Sequence, residues 1–162
     1  VDIKDRRIAK MTLTQPDGAS LTLNRKNADD KFAVDGAAAD TKYKSDSATG
    51  EPAQALETLD LTDVVPAAKL PVPKKGVTTA SYTTFDGLTI GLKLFAADKK
   101  DWVAVSATGA GKEAAEAKKI EARVSPWRYQ VPEFKAQMLE TKLADLVAPP
   151  PPPPPPATPK KP

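Results

Sequence analysis

Two stretches in which apolar and polar residues alternate around an Asp-Gly pair constrain this chain more than any other feature. The first, IAKMTLTQPDGASLTLNR, covers residues 8–25, and the second, VTTASYTTFDGLTIGLKLFA, covers residues 77–96. Alternation with period two places successive side chains on opposite faces of a strand, and Asp-Gly is a favoured hairpin turn. The sequence therefore predicts two antiparallel β-hairpins, each with one apolar face.

Side-chain parity selects the loop of the first hairpin. A two-residue turn at Asp17-Gly18 would set Leu13 opposite Thr22, across the faces of the sheet. A three-residue loop, Pro16-Asp17-Gly18, sets Leu13 opposite Leu21 instead, with Gly18 free to adopt a positive φ. We predict the three-residue loop.

A two-residue turn at Asp86-Gly87 is our prediction for the second hairpin. The pairs that follow from it are Phe85 with Leu88, Thr83 with Ile90, Ser81 with Leu92, Thr79 with Leu94 and, on the other face, Tyr82 with Gly91. This register would give one face rich in Leu and Ile. The tyrosine ring would cover the glycine that has no side chain.

Further elements complete an expected α+β fold of antiparallel hairpins and meanders packed with two or three helices. The predicted elements are a short strand at 31–34, a strand at 101–107, a helix that starts at Pro52 and includes Leu56 and Leu59, an exposed and mobile helix in GKEAAEAKKIEAR, and a helix from Pro132 to Val147. The last helix is predicted to be amphipathic. Its apolar stripe comprises Phe134, Met138, Leu139, Leu143, Leu146 and Val147.

We expect residues 1–147 to form a single domain. Both hairpins contain the pattern D-G-x-x-[LI]-x-L, which suggests two duplicated lobes at about 1–65 and 77–147. Residues 148–162 contain eight consecutive prolines and are predicted to be a disordered polyproline tail that acts as a spacer. The alternative is a docking ligand for an aromatic groove.

Composition excludes several kinds of chemistry. The chain has no Cys and no His, which excludes Cys nucleophiles, Ser-His dyads, disulfides and metal sites built on those ligands. The stretch SATGAGKEAA lacks a glycine and the Ser/Thr of a phosphate-binding loop, so it is interpreted as a strand-to-helix turn. The acids in NADDKFAVDGAAAD lack the spacing of a calcium loop. We therefore predict no catalytic residue, no cofactor and no metal.

Charge and hydropathy bear on the partners of the chain. The net charge is +3, and it falls to +1 without the two tail lysines, with no basic cluster of the kind that nucleic acids require. The apolar runs are too short to cross a bilayer, so no direct membrane insertion by this fragment is expected. The chain begins at Val1 with no leader, which suggests a fragment or a processed product.

The stretch SPWRYQVPEF, residues 125–134, is the candidate functional segment because it concentrates Trp127, Arg128, Tyr129 and Phe134. One interpretation is an exposed aromatic platform that stacks on a ligand. The other is a structural strap, an edge strand with Trp127, Tyr129 and Val131 towards the core. The alternation of apolar and polar residues favours the strap.

The order of these parts resembles the bacterial domain-of-unknown-function family 4340. The most recognisable element is W-x-Y-x-[VI]-P-x-[FY]-K-A, which corresponds here to residues 127–136, within a resemblance that covers about residues 4–147. Such proteins usually carry an N-terminal membrane anchor, with the remainder outside the cytoplasm. Their genes often lie beside those for ABC transporter components, and the family has no established catalytic residues. The resemblance implies an extracytoplasmic location in the periplasm or envelope, with the anchor absent from this chain.

The leading hypothesis is a non-enzymatic extracytoplasmic accessory or scaffold module of an ABC-type envelope transport system. It would act through protein contacts made by the sheet edge or the final helix. The alternative is a glycan- or peptide-binding module that uses Trp127 and Tyr129. A third class, a hydrolase that uses only carboxylates, would require two acids about 5–10 Å apart in a cleft.

Overall fold

The computed structural model describes residues 3–38, 40–57 and 62–149. Eight strands form one antiparallel sheet in the order β3-β2-β1-β5-β6-β7-β8-β4. The strands are β1 (Ile8–Thr14), β2 (Ser20–Asn24), β3 (Ala33–Val34), β4 (Asp63–Pro66), β5 (Thr78–Thr84), β6 (Leu88–Ala97), β7 (Lys100–Gly109) and β8 (Trp127–Val131). The helices are α1 (Ala114–Val124), α2 (Glu133–Leu139) and α3 (Leu143–Leu146), with 3₁₀ helices at Asp5–Arg7, Glu51–Leu56 and Gly111–Glu113. The predicted α+β class is confirmed.

The first hairpin has the predicted register. Leu13 pairs with Leu21 and Met11 with Leu23, and all four side chains are buried. Gly18 adopts a φ of 89° and donates its backbone N–H to the carbonyl of Gln15, which closes the loop. The preference for matching apolar faces therefore identifies the loop correctly.

The predicted register of the second hairpin is wrong by one residue. Tyr82 pairs with Ile90 and Ser81 with Gly91, so the loop has three residues, Phe85, Asp86 and Gly87. The Thr84 hydroxyl accepts from the Leu88 N–H at 3.0 Å and donates to the Asp86 carboxylate, which fixes the wider loop. The wider loop also places Tyr82 on the same face as the apolar residues of β6. Matching the apolar faces of the two strands, as in the first hairpin, predicts this three-residue loop.

The main core cluster lies on one face of the sheet. A continuous row of buried side chains crosses five strands through Leu23, Met11, Tyr82, Ile90 and Ala107. Residues 48–57 and the helices α2 and α3 contribute further members of the same cluster: Ala48, Ala53, Ala55, Leu56, Ala136, Leu139 and Leu146. The Tyr82 hydroxyl donates to the Pro52 carbonyl at 3.0 Å, which ties the 3₁₀ helix to the sheet.

Strand β4 was not predicted, and it forms the edge of the sheet beyond β8. The chain passes from β3 at one edge to β4 at the other and then returns to β5 in the middle. The suggested lobe of residues 1–65 would contain most of β4, yet β4 pairs with β8, which belongs to the other suggested lobe.

The predicted helix from Pro132 to Val147 is divided into α2 and α3. The Thr141 hydroxyl donates to the Met138 carbonyl, and the Asp145 carboxylate accepts the Lys142 N–H, which starts a new helix. The predicted apolar stripe is therefore also wrong in part, because Phe134 and Leu143 are exposed whereas Lys135 is buried.

The remaining predicted elements are present in altered form. The short third strand is reduced to β3, and the predicted helix at Pro52 is a 3₁₀ helix. Helix α1 is exposed along one side, in line with the expectation, and buries Ala117 and Val124 beside β7. Leu59 and residues 150–162, which include most of the proline tail, lie outside the described residues. Ala148 donates its N–H to the Lys42 carbonyl, so the ordered contacts extend one residue past the predicted domain end.

Candidate functional site

Strand β8 contains most of the candidate segment, and it lies between β7 and β4 in the sheet. It pairs with β7 through Tyr129 and Val103, and with β4 through Tyr129 and Val64. The expectation that this segment is an edge strand is therefore wrong, because β4 occupies the edge.

An apolar surface lies where β4 and β8 meet. Trp127 pairs with Pro66, and Tyr129 pairs with Val64, so the four side chains share the face of the sheet that also holds the core. Trp127 is 40% exposed and Val64 is 47% exposed. We call these four residues the edge patch.

Tyr129 connects the edge patch to the interior. It is half-buried and packs against the main core cluster, and burial raises the pKa of its hydroxyl because an ionised phenolate would lose hydration. The structure therefore divides the predicted aromatic pair, since Tyr129 packs partly inside whereas the Trp127 ring is presented to solvent.

Arg128 and Phe134 do not join the edge patch. Arg128 alternates to the other face of β8, and its guanidinium donates to the Trp127 carbonyl at 2.8 Å. Phe134 lies in α2, past the far end of β8, and is 50% exposed. Because strand β8 alone spans about 13 Å, Trp127 and Phe134 belong to separate surfaces.

The outer edge of β4 offers few free backbone donors to an incoming strand. Successive N–H groups of an antiparallel strand point alternately to its two sides. The Ala67 N–H points towards β8, where it donates to the Pro126 carbonyl. By this alternation, the nitrogens of Val64 and Pro66 point away from the sheet. The Val64 N–H is already taken by the Asp63 carboxylate at 2.8 Å, and proline has no N–H. Contacts at this edge therefore depend on side chains.

A cluster of acidic side chains surrounds Arg7. Its guanidinium donates to both Glu116 oxygens at 3.1 Å and to Asp86 at 2.8 Å, with Glu113 at 4.0 Å. The acids thus converge, as a carboxylate-only hydrolase would require, but Arg7 occupies the space between them. The geometry is that of an ion cluster that joins the 3₁₀ helix Asp5–Arg7, the β5–β6 loop and α1.

The pKa values in this cluster follow from its hydrogen bonds. The Arg7 guanidinium lowers the pKa of Glu116. The pKa of Asp86 is lowered mainly by a hydrogen bond from the Thr84 hydroxyl and, to a smaller extent, by Arg7. The pKa of Glu113 is raised because its side chain shares a hydrogen bond with Glu116. Glu113 therefore holds a proton more readily than Glu116.

Other predicted features can be located. Residues 106–115 form the predicted strand-to-helix turn, with β7 ending at Gly109 and α1 beginning at Ala114. Among residues 3–38, 40–57 and 62–149, no group of three or more acids is arranged to hold a metal ion. No helix in the described part of the chain has both the length and the apolar character needed to cross a membrane.

Val64 and Pro66 of the edge patch and Arg7 of the ion cluster were not predicted from the sequence. A short valine run ended by a proline is a signal for an edge strand, so DVVP could have been recognised as β4. Nothing in the sequence indicates that Arg7 meets Glu116, because the two residues are 109 positions apart. Comparison with known protein families, with curated proteins and with solved structures found no match for this chain.

Proposed function

We propose that this chain is a non-enzymatic accessory or scaffold module that binds a partner protein through the edge patch. The observation that carries the proposal is the joint exposure of Trp127 and Val64 beside Pro66 on one face of the sheet edge. Exposed aromatic and aliphatic side chains grouped in this way are typical anchors of protein interfaces.

The partner would contact the side-chain face of the edge patch. The donors of β4 are blocked by Asp63 and by the proline, which disfavours recognition by strand addition. A partner surface with an apolar pocket for the indole ring is the complementary shape. The resemblance to the family named above supports an extracytoplasmic location and a membrane component of an ABC transporter as that partner.

A capture experiment from the native envelope tests this proposal. The purified chain, with a photo-crosslinker at position 64, should recover an ABC transporter membrane component from detergent-solubilised envelope. Trp127→Ala should reduce the yield at least tenfold, because truncation of a central aromatic anchor costs about 2 kcal/mol or more. Phe134→Ala, which removes an exposed aromatic ring on another surface, is the matched control and should leave the yield unchanged.

Two outcomes would contradict the proposal. One is the absence of transporter components from the crosslinked products. The other is an equal loss of yield with Trp127→Ala and Phe134→Ala, since that result would show no dependence on the edge patch.

A glycan- or peptide-binding module is the second candidate, and the solvent-facing Trp127 ring favours it. The chain has two tryptophans, Trp102 and Trp127, so the Trp102→Phe variant reports the fluorescence of Trp127 alone. A ligand that stacks on the ring should shift this emission in a saturable manner and protect it from acrylamide. An unchanged, freely quenched emission across glycan and peptide panels would exclude this candidate and leave the protein-binding proposal standing.

A further inference from the structure

A small cleft opens at the end of the sheet opposite the β5–β6 loop, on the core face. It has a volume of about 200 Å³ and lies between the end of the first hairpin and the segment that joins α2 to α3. Its walls include Leu13 and Leu21 from the hairpin, and Leu143 and Ala144 from α3. Leu143 is 44% exposed, so the cleft has an apolar wall that solvent reaches.

Gln15 also lines this cleft, and its side-chain amide is incompletely paired. The residue is only 6% exposed, because it follows Leu13 with the inward parity of β1. Its Oε1 accepts a hydrogen bond from the Thr78 hydroxyl at 3.4 Å, whereas its Nε2 is buried with no hydrogen-bond partner among the described residues. Burial of an amide donor without an acceptor is unfavourable, so a ligand that supplies the acceptor would gain free energy.

The hairpin loop holds Gln15 in place. Its backbone N–H donates to the Ala19 carbonyl at 2.8 Å, and its carbonyl accepts from the Gly18 N–H at 2.9 Å. The hairpin loop therefore holds the Gln15 backbone, and the buried Thr78 hydroxyl holds the Gln15 side chain that carries the Nε2 donor. A ligand would meet an amide whose position is already determined.

The charges at the rim are already balanced. Lys142 lines the cleft, and its ammonium lies 3.7 Å from the Asp17 carboxylate. Because Lys142 already faces Asp17, a carboxylate ligand would lose its hydration for a contact with the neutral Gln15 amide. A neutral carbonyl oxygen pairs with that amide at a lower desolvation cost. The rim and the interior together favour a neutral ligand.

We propose that this space, the Gln15 cleft, binds an apolar group of about the size of a leucine side chain or a benzene ring that carries a neutral carbonyl oxygen. A dry apolar cavity of about 150 Å³ is large enough to hold benzene, so the volume suits one such group. The carbonyl oxygen accepts the free N–H of Gln15 Nε2. The cleft lies at the loop of the β1–β2 hairpin, and the edge patch lies on β4 and β8 at the other side of the sheet. This site is therefore independent of the proposed function.

The test is a titration followed by ¹H–¹⁵N NMR, in which the side-chain amide of Gln15 reports directly on its hydrogen bond. The probes are 4-methyl-2-pentanone as a free ketone, N-acetyl-leucine methylamide as a peptide form of the same chemistry, and 4-methylpentanoate as the charged comparator. The ketone should move the Gln15 amide protons downfield and saturate together with the backbone signals of residues 19–21 and 141–144. The charged comparator should bind at least threefold more weakly.

Two variants and a control separate the amide from the apolar walls. Gln15→Met keeps the shape but removes the donor, and it should weaken ketone binding roughly three- to tenfold. Leu143→Ala removes an exposed apolar wall and should weaken binding of all three probes. Phe85→Ala changes a 45% exposed ring in the loop at the opposite end of the sheet and should leave binding of the probes unchanged. If Gln15→Met does not fold, the shift of the Gln15 amide in the unaltered protein decides the question.

The outcomes are distinguishable. Binding of the ketone alone supports the proposal with a free small molecule as the ligand, and comparable binding of the leucine derivative supports it with a peptide residue as the ligand. The proposal is overturned by an absence of saturable shifts at the cleft, by unchanged ketone affinity in a folded Gln15→Met variant, or by tighter binding of the carboxylate.

Discussion

At the scale of single residues, two buried polar side chains, Lys135 and Tyr82, hold the 3₁₀ helix Glu51–Leu56 against α2 and the sheet. The Lys135 ammonium is buried and donates to the carbonyls of Gln54 and Glu57 at 3.0 and 2.8 Å. From the sheet, Tyr82 donates to the Pro52 carbonyl. Two carbonyls of the short helix Glu51–Leu56 and the carbonyl of its C-cap residue Glu57 thus accept hydrogen bonds from side chains.

Replacement of Lys135 by methionine is expected to destabilise the protein by roughly 2–4 kcal/mol. The variant keeps the length of the side chain but leaves the Gln54 and Glu57 carbonyls without their charged donor. Urea unfolding followed by circular dichroism would measure the loss. Gln137→Met, an exposed site in the same helix, is the control and should change stability by less than about 0.5 kcal/mol. Equal effects of the two variants would contradict this role.

Tyr82 is expected to make stability fall at alkaline pH. Burial raises the pKa of its hydroxyl well above the ordinary value near 10. The folded protein keeps the proton that the unfolded chain releases, so the contribution of Tyr82 is complete below pH 10 and is lost as the pH rises further.

Tyr82→Phe should remove that part of the alkaline decline, at a cost of about 1–2 kcal/mol at neutral pH for the lost hydrogen bond. Urea unfolding between pH 8 and pH 12 would measure both effects. Tyr129→Phe should reduce the alkaline slope less, because Tyr129 is only partly buried. An unchanged alkaline slope in Tyr82→Phe would contradict the argument.

At the scale of elements, close approach of the backbone decides how β7 meets α1. A Cβ atom at Gly109 would lie 2.7 Å from the Glu113 carbonyl oxygen and 3.1 Å from the Ala117 Cβ. The strand-to-helix turn was predicted because SATGAGKEAA departs from a phosphate-binding loop, but the steric role of Gly109 depends on how closely α1 docks. That role is a property of the pair of elements.

Gly109→Ala should therefore destabilise the protein by about 1–3 kcal/mol, because the backbone of Glu113 must shift. Thermal and urea unfolding would measure the change. Gly50→Ala is a matched control, since a Cβ there meets only the Ser47 carbonyl oxygen at 3.4 Å and the backbone already has helical angles. It should be neutral or slightly stabilising. A neutral Gly109→Ala variant would show that α1 is docked more loosely.

Local pattern also has limits at this scale. The parity of apolar residues identified the loop of the first hairpin, whereas reliance on the Asp86-Gly87 pair alone gave the wrong register in the second. The final helix was predicted as continuous because its apolar spacing persists across Thr141. Hydrogen bonds to Met138 and from Lys142, which break the helix there, are not visible in hydropathy.

At the scale of the whole molecule, Arg7 joins parts of the chain that are far apart in sequence. It contacts Asp86 in the β5–β6 loop and Glu116 in α1. The Phe85 N–H also donates to the Arg7 carbonyl. The N-terminal 3₁₀ turn is thereby tied to the opposite half of the chain.

Arg7→Met should loosen this junction. We expect a loss of about 0.5–1.5 kcal/mol, since the cluster is partly exposed and screened by solvent. Amide hydrogen exchange should become faster in the β5–β6 loop and the first turn of α1. Arg6→Met is the control because Arg6 pairs with Asp29 in full solvent, and it should leave exchange unchanged. Similar exchange rates in both variants would contradict the role of Arg7.

The sequence alone determined the local features of this protein: the two hairpins, the three-strand meander of β5, β6 and β7, the strand character of β8 and the exposed character of α1. These features depend on neighbouring residues and on period-two alternation, which short segments encode. The tertiary structure decided the sheet order, the pairing of β4 with β8, the Arg7 cluster and the unpaired amide of Gln15. Each of these joins residues that are distant in the chain, and hydropathy carries no information about which distant segments meet. For this reason the aromatic segment was visible in the sequence, whereas the edge patch and the Gln15 cleft became visible only in the folded protein.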